Sequence, residues 1–220
     1  MRRARATAAL VAALALAGCG GPEPEPAAGP VPSASTAAPE RTPAPVPAPP
    51  TASPTAVPPA VPEPLVLAES VPVRLTIEAI GVDSDLMELG LLPDGTMEVP
   101  PSAFPAGWFT GAPTPGELGP AVIAGHVDWT TGPGVFIDLA RLAPGDHVQV
   151  ARADGTVADF AVTAVEEYPK DEFPTESVYG DLDHAGLRLI TCGGDWDDDA
   201  GHYAANTVVY AELVGSSPAT

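Results

Sequence analysis

An all-β domain, closed as a barrel or stacked as a sandwich, is what the sequence predicts between about residues 68 and 215. Three observations carry that prediction. Short alternating or β-branched runs recur along this stretch, clusters of Pro, Asp and Gly separate them, and helical periodicity is scarce. About 145 residues of short strands are long enough to enclose one core.

In chain order the runs are Val71–Ile77 (VPVRLTI), Ala121–Ala124 (AVIA), His147–Ala151 (HVQVA), Val157–Val165 (VADFAVTAV), Leu187–Cys192 (LRLITC) and Thr207–Val214 (TVVYAELV). Turns are expected at Pro93-Asp94-Gly95, at Pro144-Gly145-Asp146 and at Asp154-Gly155, where the Asp-Gly pair between two strand-like runs predicts a hairpin. Val135–Leu142 and Glu176–Tyr179 are expected to give a turn or two of helix each. Residues 216–220 read as a tail. There is no internal repeat.

The preceding chain has a different character. Arg2, Arg3 and Arg5 form a basic start, and Ala6 to Ala17 is an apolar run too short to span ~30 Å of hydrocarbon as a mature helix. The run ends at Leu16-Ala17-Gly18-Cys19, which resembles the lipobox of bacterial lipoproteins. That resemblance implies a signal peptide over residues 1–19 and a diacylglycerol on the Cys19 thiol; the alternative is ordinary secretion with an unmodified Cys19. Acyl chains there imply anchoring to the outer face of the cell membrane. Residues 20–67 hold 16 of the 29 prolines and no apolar periodicity, so a disordered to polyproline-like tether is expected. At ~3.1 Å per residue it reaches on the order of 100 Å, enough to project a domain into the cell wall.

Charge narrows the function classes. Lys and Arg total 9 against 29 Asp and Glu, a formal charge of −20, which repels phosphate backbones and excludes nucleic-acid binding as a function. Aromatics are 5% of residues, too few for base-stacking platforms. Two cysteines, Cys19 and Cys192, provide no disulfide framework.

With Cys19 acylated, Cys192 is the one thiol of the folded domain. It is either a buried small hydrophobe or a nucleophile. A β-rich run delivers it, and Gly193-Gly194 follow, where glycine permits close backbone approach of a substrate. His126 stands in a parallel context, after the apolar run Ala-Val-Ile-Ala-Gly. An imidazole near a thiol can take and return its proton. His147 opens a strand and reads as structural; His184 lies in a polar loop.

The ordered set Ala124-Gly125-His126-Val127-Asp128, Phe136 to Leu142 leading into Pro144-Gly145-Asp146, Tyr168-Pro169-Lys170 through Phe173-Pro174-Thr175, Val178-Tyr179-Gly180, Thr191-Cys192-Gly193-Gly194 and Asn206 to Ala211 resembles class F sortases, the cysteine transpeptidases of Gram-positive surfaces related to the class E type. The resemblance runs from about Val73 to Leu213. It implies an eight-stranded β-barrel. It also implies that Cys192 attacks a Thr–Gly bond in an LPxTG-like sorting signal, with a thioacyl-enzyme released by an amine of a cell-wall precursor or pilin, or by water. His126 would be the general acid and base, and Asp128 would shape the His loop or serve as a turn residue. No cofactor is implied.

One position departs from the family. Sortases carry an arginine after the cysteine, often in a Tyr-Arg-x-Asn run, and here that run is Tyr203-Ala204-Ala205-Asn206. The departure raises a second possibility, a pseudo-sortase that binds sorting-signal-like peptides without turnover. Candidate supports for the oxyanion are His202, the backbone N–H groups of Gly193 and Gly194, and Arg188. Arg188 shares the face of Cys192 by strand alternation but stands roughly 13 Å away along the strand. No metal site is expected: Asp195, Asp197 and Asp199 are spaced like a calcium loop but lack its distal glutamate, and Cys192, His126 and His202 include no closely spaced ligand pair. Trp108, Phe109 and Trp129 read as core or groove wall.

Overall fold

The computed structural model describes residues 64–219; the expected signal peptide, Cys19 and the tether up to residue 63 lie outside the described residues. Among the described residues ten strands form: β1 (Pro72–Ile77), β2 (Val82–Leu89), β3 (Ala106–Phe109), β4 (Gly119–Ala124), β5 (Asp128–Trp129), β6 (Gly132–Pro133), β7 (His147–Arg152), β8 (Thr156–Pro169), β9 (Ala185–Asp197) and β10 (His202–Pro218). Eight close into a barrel in the order β1-β2-β3-β4-β9-β10-β8-β7, while β5 and β6 make a two-stranded ribbon beside it. The expected all-β barrel is therefore the observed fold.

Each expected run is a strand, and the Asp154-Gly155 hairpin joins β7 to β8. Gly155 takes φ +80, and the Asp154 carboxylate accepts from the Thr156 N–H at 2.9 Å. Two barrel strands were not visible as runs. β2 reads Val-Asp-Ser-Asp-Leu-Met-Glu-Leu, with Asp83 and Asp85 on its exposed face, where both pair with Arg74 of β1 at 2.7 Å. β3 is only four residues long. Its Gly107 is required by close approach, since a Cβ there would lie 2.4 Å from Leu89 Cγ.

Of the two expected helical stretches, Val135–Leu142 shrinks to a 3-10 turn over Leu139–Arg141, and Glu176–Tyr179 forms as the short helix α1 (Thr175–Tyr179). The domain bounds also move outward. Leu67, expected in the tether, donates its N–H to Gly116 O at 2.7 Å and packs against the core. The expected tail instead extends β10 to Pro218, because the β8–β10 ladder continues as far as Thr156.

The barrel interior holds Leu75, Ile77, Ile123, Phe136, Phe160, Leu187, Leu189 and Val209, all fully buried. A smaller cluster of Val122, Val178, Ile190 and Val208 lies on the outer face of β4, β9 and β10, with Phe173, Tyr168 and Met97 packed against it. Covered on both faces, β4 is buried along its whole length, which explains its unbroken apolar sequence.

Candidate active site

The site is assembled by the parallel pairing of β4 with β9. Their register sets Ala124 beside Ile190, and Gly125 N–H donates to Ile190 O at 3.0 Å. Two residues further along the chain in each case come His126, just past the end of β4, and Cys192, still on β9. Neighbouring strands lie about 4.8 Å apart, so this register delivers an imidazole and a thiol to the same barrel end. Both are partly buried, and both line two adjoining clefts.

Local packing holds the histidine. A Cβ on Gly125 would stand 2.5 Å from Val135 Cγ1 and 2.7 Å from Phe136 Cδ2, so only glycine lets the chain turn here against that wall. Phe136 N–H and Gly134 N–H then bind His126 O and Val127 O at 2.9 and 3.0 Å. The ring's Nε2 is 2.7 Å from Pro100 O; a carbonyl only accepts, so Nε2 is the donor of this bond. Asp128 accepts from the Tyr203 hydroxyl at 2.6 Å, which ties the histidine loop to β10. The negative carboxylate holds the Tyr203 phenol above its ordinary pKa, chiefly through that hydrogen bond.

The larger cleft, about 450 Å³, runs from Met97, Val99 and Pro100 past His126 and Cys192 to Phe173 and Ile190, with Lys170 and Asn206 at its polar end. Asn206 sits opposite Cys192 in the β9–β10 register. The other cleft, about 400 Å³, is lined by Trp129, Asp128, Trp196, His202 and Tyr203. Trp129 stacks at 4.6 Å, tilted, on His126, and Trp196 meets Tyr203 edge-on at 5.2 Å. Trp129 is thus groove wall, whereas Trp108 is buried and donates its indole N–H to Pro113 O.

The candidate supports divide. His202 lines the second cleft with Cys192, its Nδ1 donating to Tyr203 O at 2.8 Å. Gly194 N–H does not face a substrate: it donates to the Glu167 carboxylate at 2.9 Å. Gly193 is packed against Thr207 and Glu167. Arg188 is on the predicted face but out of reach, its guanidinium 4.6 Å over the Tyr210 ring in a separate pocket lined by Glu166, His184 and Glu212. Burial lowers its pKa. Tyr210 fills that position because it pairs directly with Arg188 across β9 and β10. Ala204 is exposed, at a register shift between Tyr203 and Ala205.

Lys170 is the neighbour that spacing arguments did not single out: its Nζ lies 3.9 Å from Cys192 Sγ. One signal was available, since Lys170 is the only lysine of the chain. Among the described residues no group of three or more His, Cys, Asp or Glu side chains is placed to hold a metal ion. Asp197 instead caps its own turn, accepting from Asp199 N–H and Ala200 N–H at 2.9 Å.

Comparison with known proteins agrees with this architecture. No curated protein sequence matches the chain. Among solved structures, the SrtA sortase from Actinomyces oris is similar with a TM-score of 0.51 at 24% identity, over 68% of this chain and 82% of that one. Sortase A of Listeria monocytogenes gives 0.51 at 18% identity, over 69% and 92%. Sortase C-1 of Actinomyces oris gives 0.52 at 23% identity, over 66% and 73%. These likenesses establish a shared fold. The Sortase domain family model matches residues 75–214, from within β1 into β10, and the chain therefore belongs to the sortase family, whose members are cysteine transpeptidases.

Proposed function

We propose that this chain is a cell-surface transpeptidase of the class F type that cleaves an LPxTG-like sorting signal through a thioacyl-enzyme on Cys192 and passes it to an amine of a cell-wall precursor or pilin, or to water. One observation carries the proposal: the β4–β9 register sends His126 and Cys192 into the same two clefts. The apolar walls of the larger cleft, Met97, Val99, Phe173 and Ile190, suit the Leu and Pro of such a signal.

The chemistry follows from the groups present. The Cys192 thiol passes its proton to His126, the thiolate sulfur attacks the threonine carbonyl carbon, and the C=O pair moves onto oxygen. Collapse breaks the C–N bond, and the departing amine takes the proton from the His126 imidazolium, which leaves the ring neutral. An incoming amine or water then attacks the thioacyl carbonyl, loses a proton to His126, and the C–S bond breaks to release the thiolate. Class F is favoured by the ordered motifs from Ala124 to Ala211. The lipobox-like start and proline-rich stretch support a lipid anchor on Cys19 and a spacer that holds the domain in the wall. Detergent phase partitioning that is lost in Cys19→Ala checks the anchor.

The test is intact mass after incubation with a Leu-Pro-x-Thr-Gly peptide. A mass increase equal to the acyl fragment, absent in Cys192→Ala, is the expected result; an added amine then shifts the product mass. The alanine at position 204 favours a second reading, a pseudo-sortase that binds such peptides without turnover. Saturable peptide binding with no adduct selects it.

A further inference from the structure

We propose that Lys170 is a catalytic residue of this site, its ammonium group binding the oxyanion that forms when Cys192 attacks a peptide carbonyl. The inference deepens the transpeptidase proposal and rests on it.

The argument is one of charge and position. Five basic side chains lie among the described residues, and four are engaged elsewhere. Arg74 is paired with Asp83 and Asp85, and Arg141 with Asp138. Arg152 binds Thr156, Ala68 O and Asp154. Arg188 stacks on Tyr210. Lys170 forms no ion pair among the described residues and directs Nζ to 3.9 Å from Cys192 Sγ.

Other donors at the site are weaker candidates. The Gly194 N–H is bound to Glu167, and the His126 Nε2–H to Pro100 O. Asn206, opposite Cys192, offers an amide but no charge. A carbonyl attacked by Sγ must lie within covalent reach of sulfur, so its oxygen falls near Lys170, which among the Lys and Arg side chains of the described residues is the one beside that sulfur. A charge-assisted bond there strengthens as charge develops, which is the condition for accelerating the step.

The backbone explains how a lysine so distant in sequence arrives. β8 runs alongside β10 to its last pair, Pro169 with Ala205, and a 3-10 turn over Lys170–Glu172 follows. Lys170 therefore leaves the sheet next to β10, which itself borders Cys192 on β9. During the reaction Lys170 keeps its proton; it neutralises charge and transfers nothing.

Two measurements test the proposal. The first is the rate of thioacyl adduct formation by intact mass. Lys170→Met is expected to slow it by about 10²–10³-fold, with Lys170→Arg retaining most of the rate. The second needs no turnover: the ratio of Cys192 alkylation rates by iodoacetate and iodoacetamide. A neighbouring cation favours the anionic reagent, so the ratio is expected to fall several-fold in Lys170→Met and further in Lys170→Glu. Circular dichroism identical to wild type controls for folding in each variant. An unchanged ratio, or an adduct rate in Lys170→Met equal to wild type, overturns the role of Lys170 while leaving the transpeptidase proposal standing. No adduct in the wild-type protein overturns both, even where the alkylation ratio responds to Lys170.

Discussion

The Tyr203 hydroxyl donates to the Asp128 carboxylate at 2.6 Å, joining the loop that carries His126 to the strand that flanks Cys192. Tyr203→Phe deletes this one bond and leaves the ring against Trp196. The bond is solvent-exposed, so melting is expected to shift by no more than about 2–4 °C. The adduct rate is expected to fall several-fold as the histidine loop loses its tie. Calorimetry and intact-mass kinetics on the same sample separate the two effects. A melting shift without a rate change contradicts a positioning role for the pair.

Gly125 is set where no side chain fits, between Val135 and Phe136. Gly125→Ala is expected to destabilise the fold by about 1–3 kcal/mol in urea titrations, as overpacking does. Because His126 is the next residue, the surviving folded protein is expected to lose acylation rate as well.

Arg188 makes the opposite prediction. Its buried guanidinium rests on Tyr210, its Nε has no partner, and no part of it lines either cleft at Cys192. Arg188→Met keeps the packing volume and removes a partly desolvated charge. Adduct formation is expected to stay at the wild-type rate, with stability unchanged or raised. Loss of acylation in a folded Arg188→Met protein returns this residue to the candidate set.

His147, at the start of β7, has its pKa raised above 6.5, first by the hydrogen bond to Asp159 at 2.9 Å, then by the charge of Asp159, with Asp146 adding to it. The protonated ring is the form the fold prefers. Its contribution is therefore complete below the ordinary value near 6.5 and disappears as pH rises through the raised one. Wild type is expected to melt slightly above His147→Gln at about pH 5.5 and level with it at about pH 8.5. A difference that grows with pH contradicts the assignment.

Much of the architecture was legible because local rules suffice for it. Asp154-Gly155 specifies its hairpin through the left-handed φ of Gly155, and the all-apolar Ala121–Ala124 run specifies a strand covered on both faces. β2 and the longer reaches of β8 and β10 were hidden, since their polar, exposed residues are held by ladder partners rather than by an apolar pattern. At the site, strand alternation placed Arg188 on the face of Cys192, yet said nothing of the Tyr210 ring that captures it.

By itself the sequence determined the β-rich domain, the proline-rich stretch before it, the acidic character of the chain, and Cys192 and His126 as candidate residues, each at the end of an apolar run and beside glycine. These depend on composition, on alternation and on residue chemistry, all of which are local. Only the tertiary structure decided that His126 and Cys192 share a cleft, that Glu167 occupies the Gly194 N–H, and that the chain's one lysine stands beside Cys192. Each of those depends on strand register between segments 20 to 70 residues apart in sequence, and register is set by how the whole barrel closes around its core.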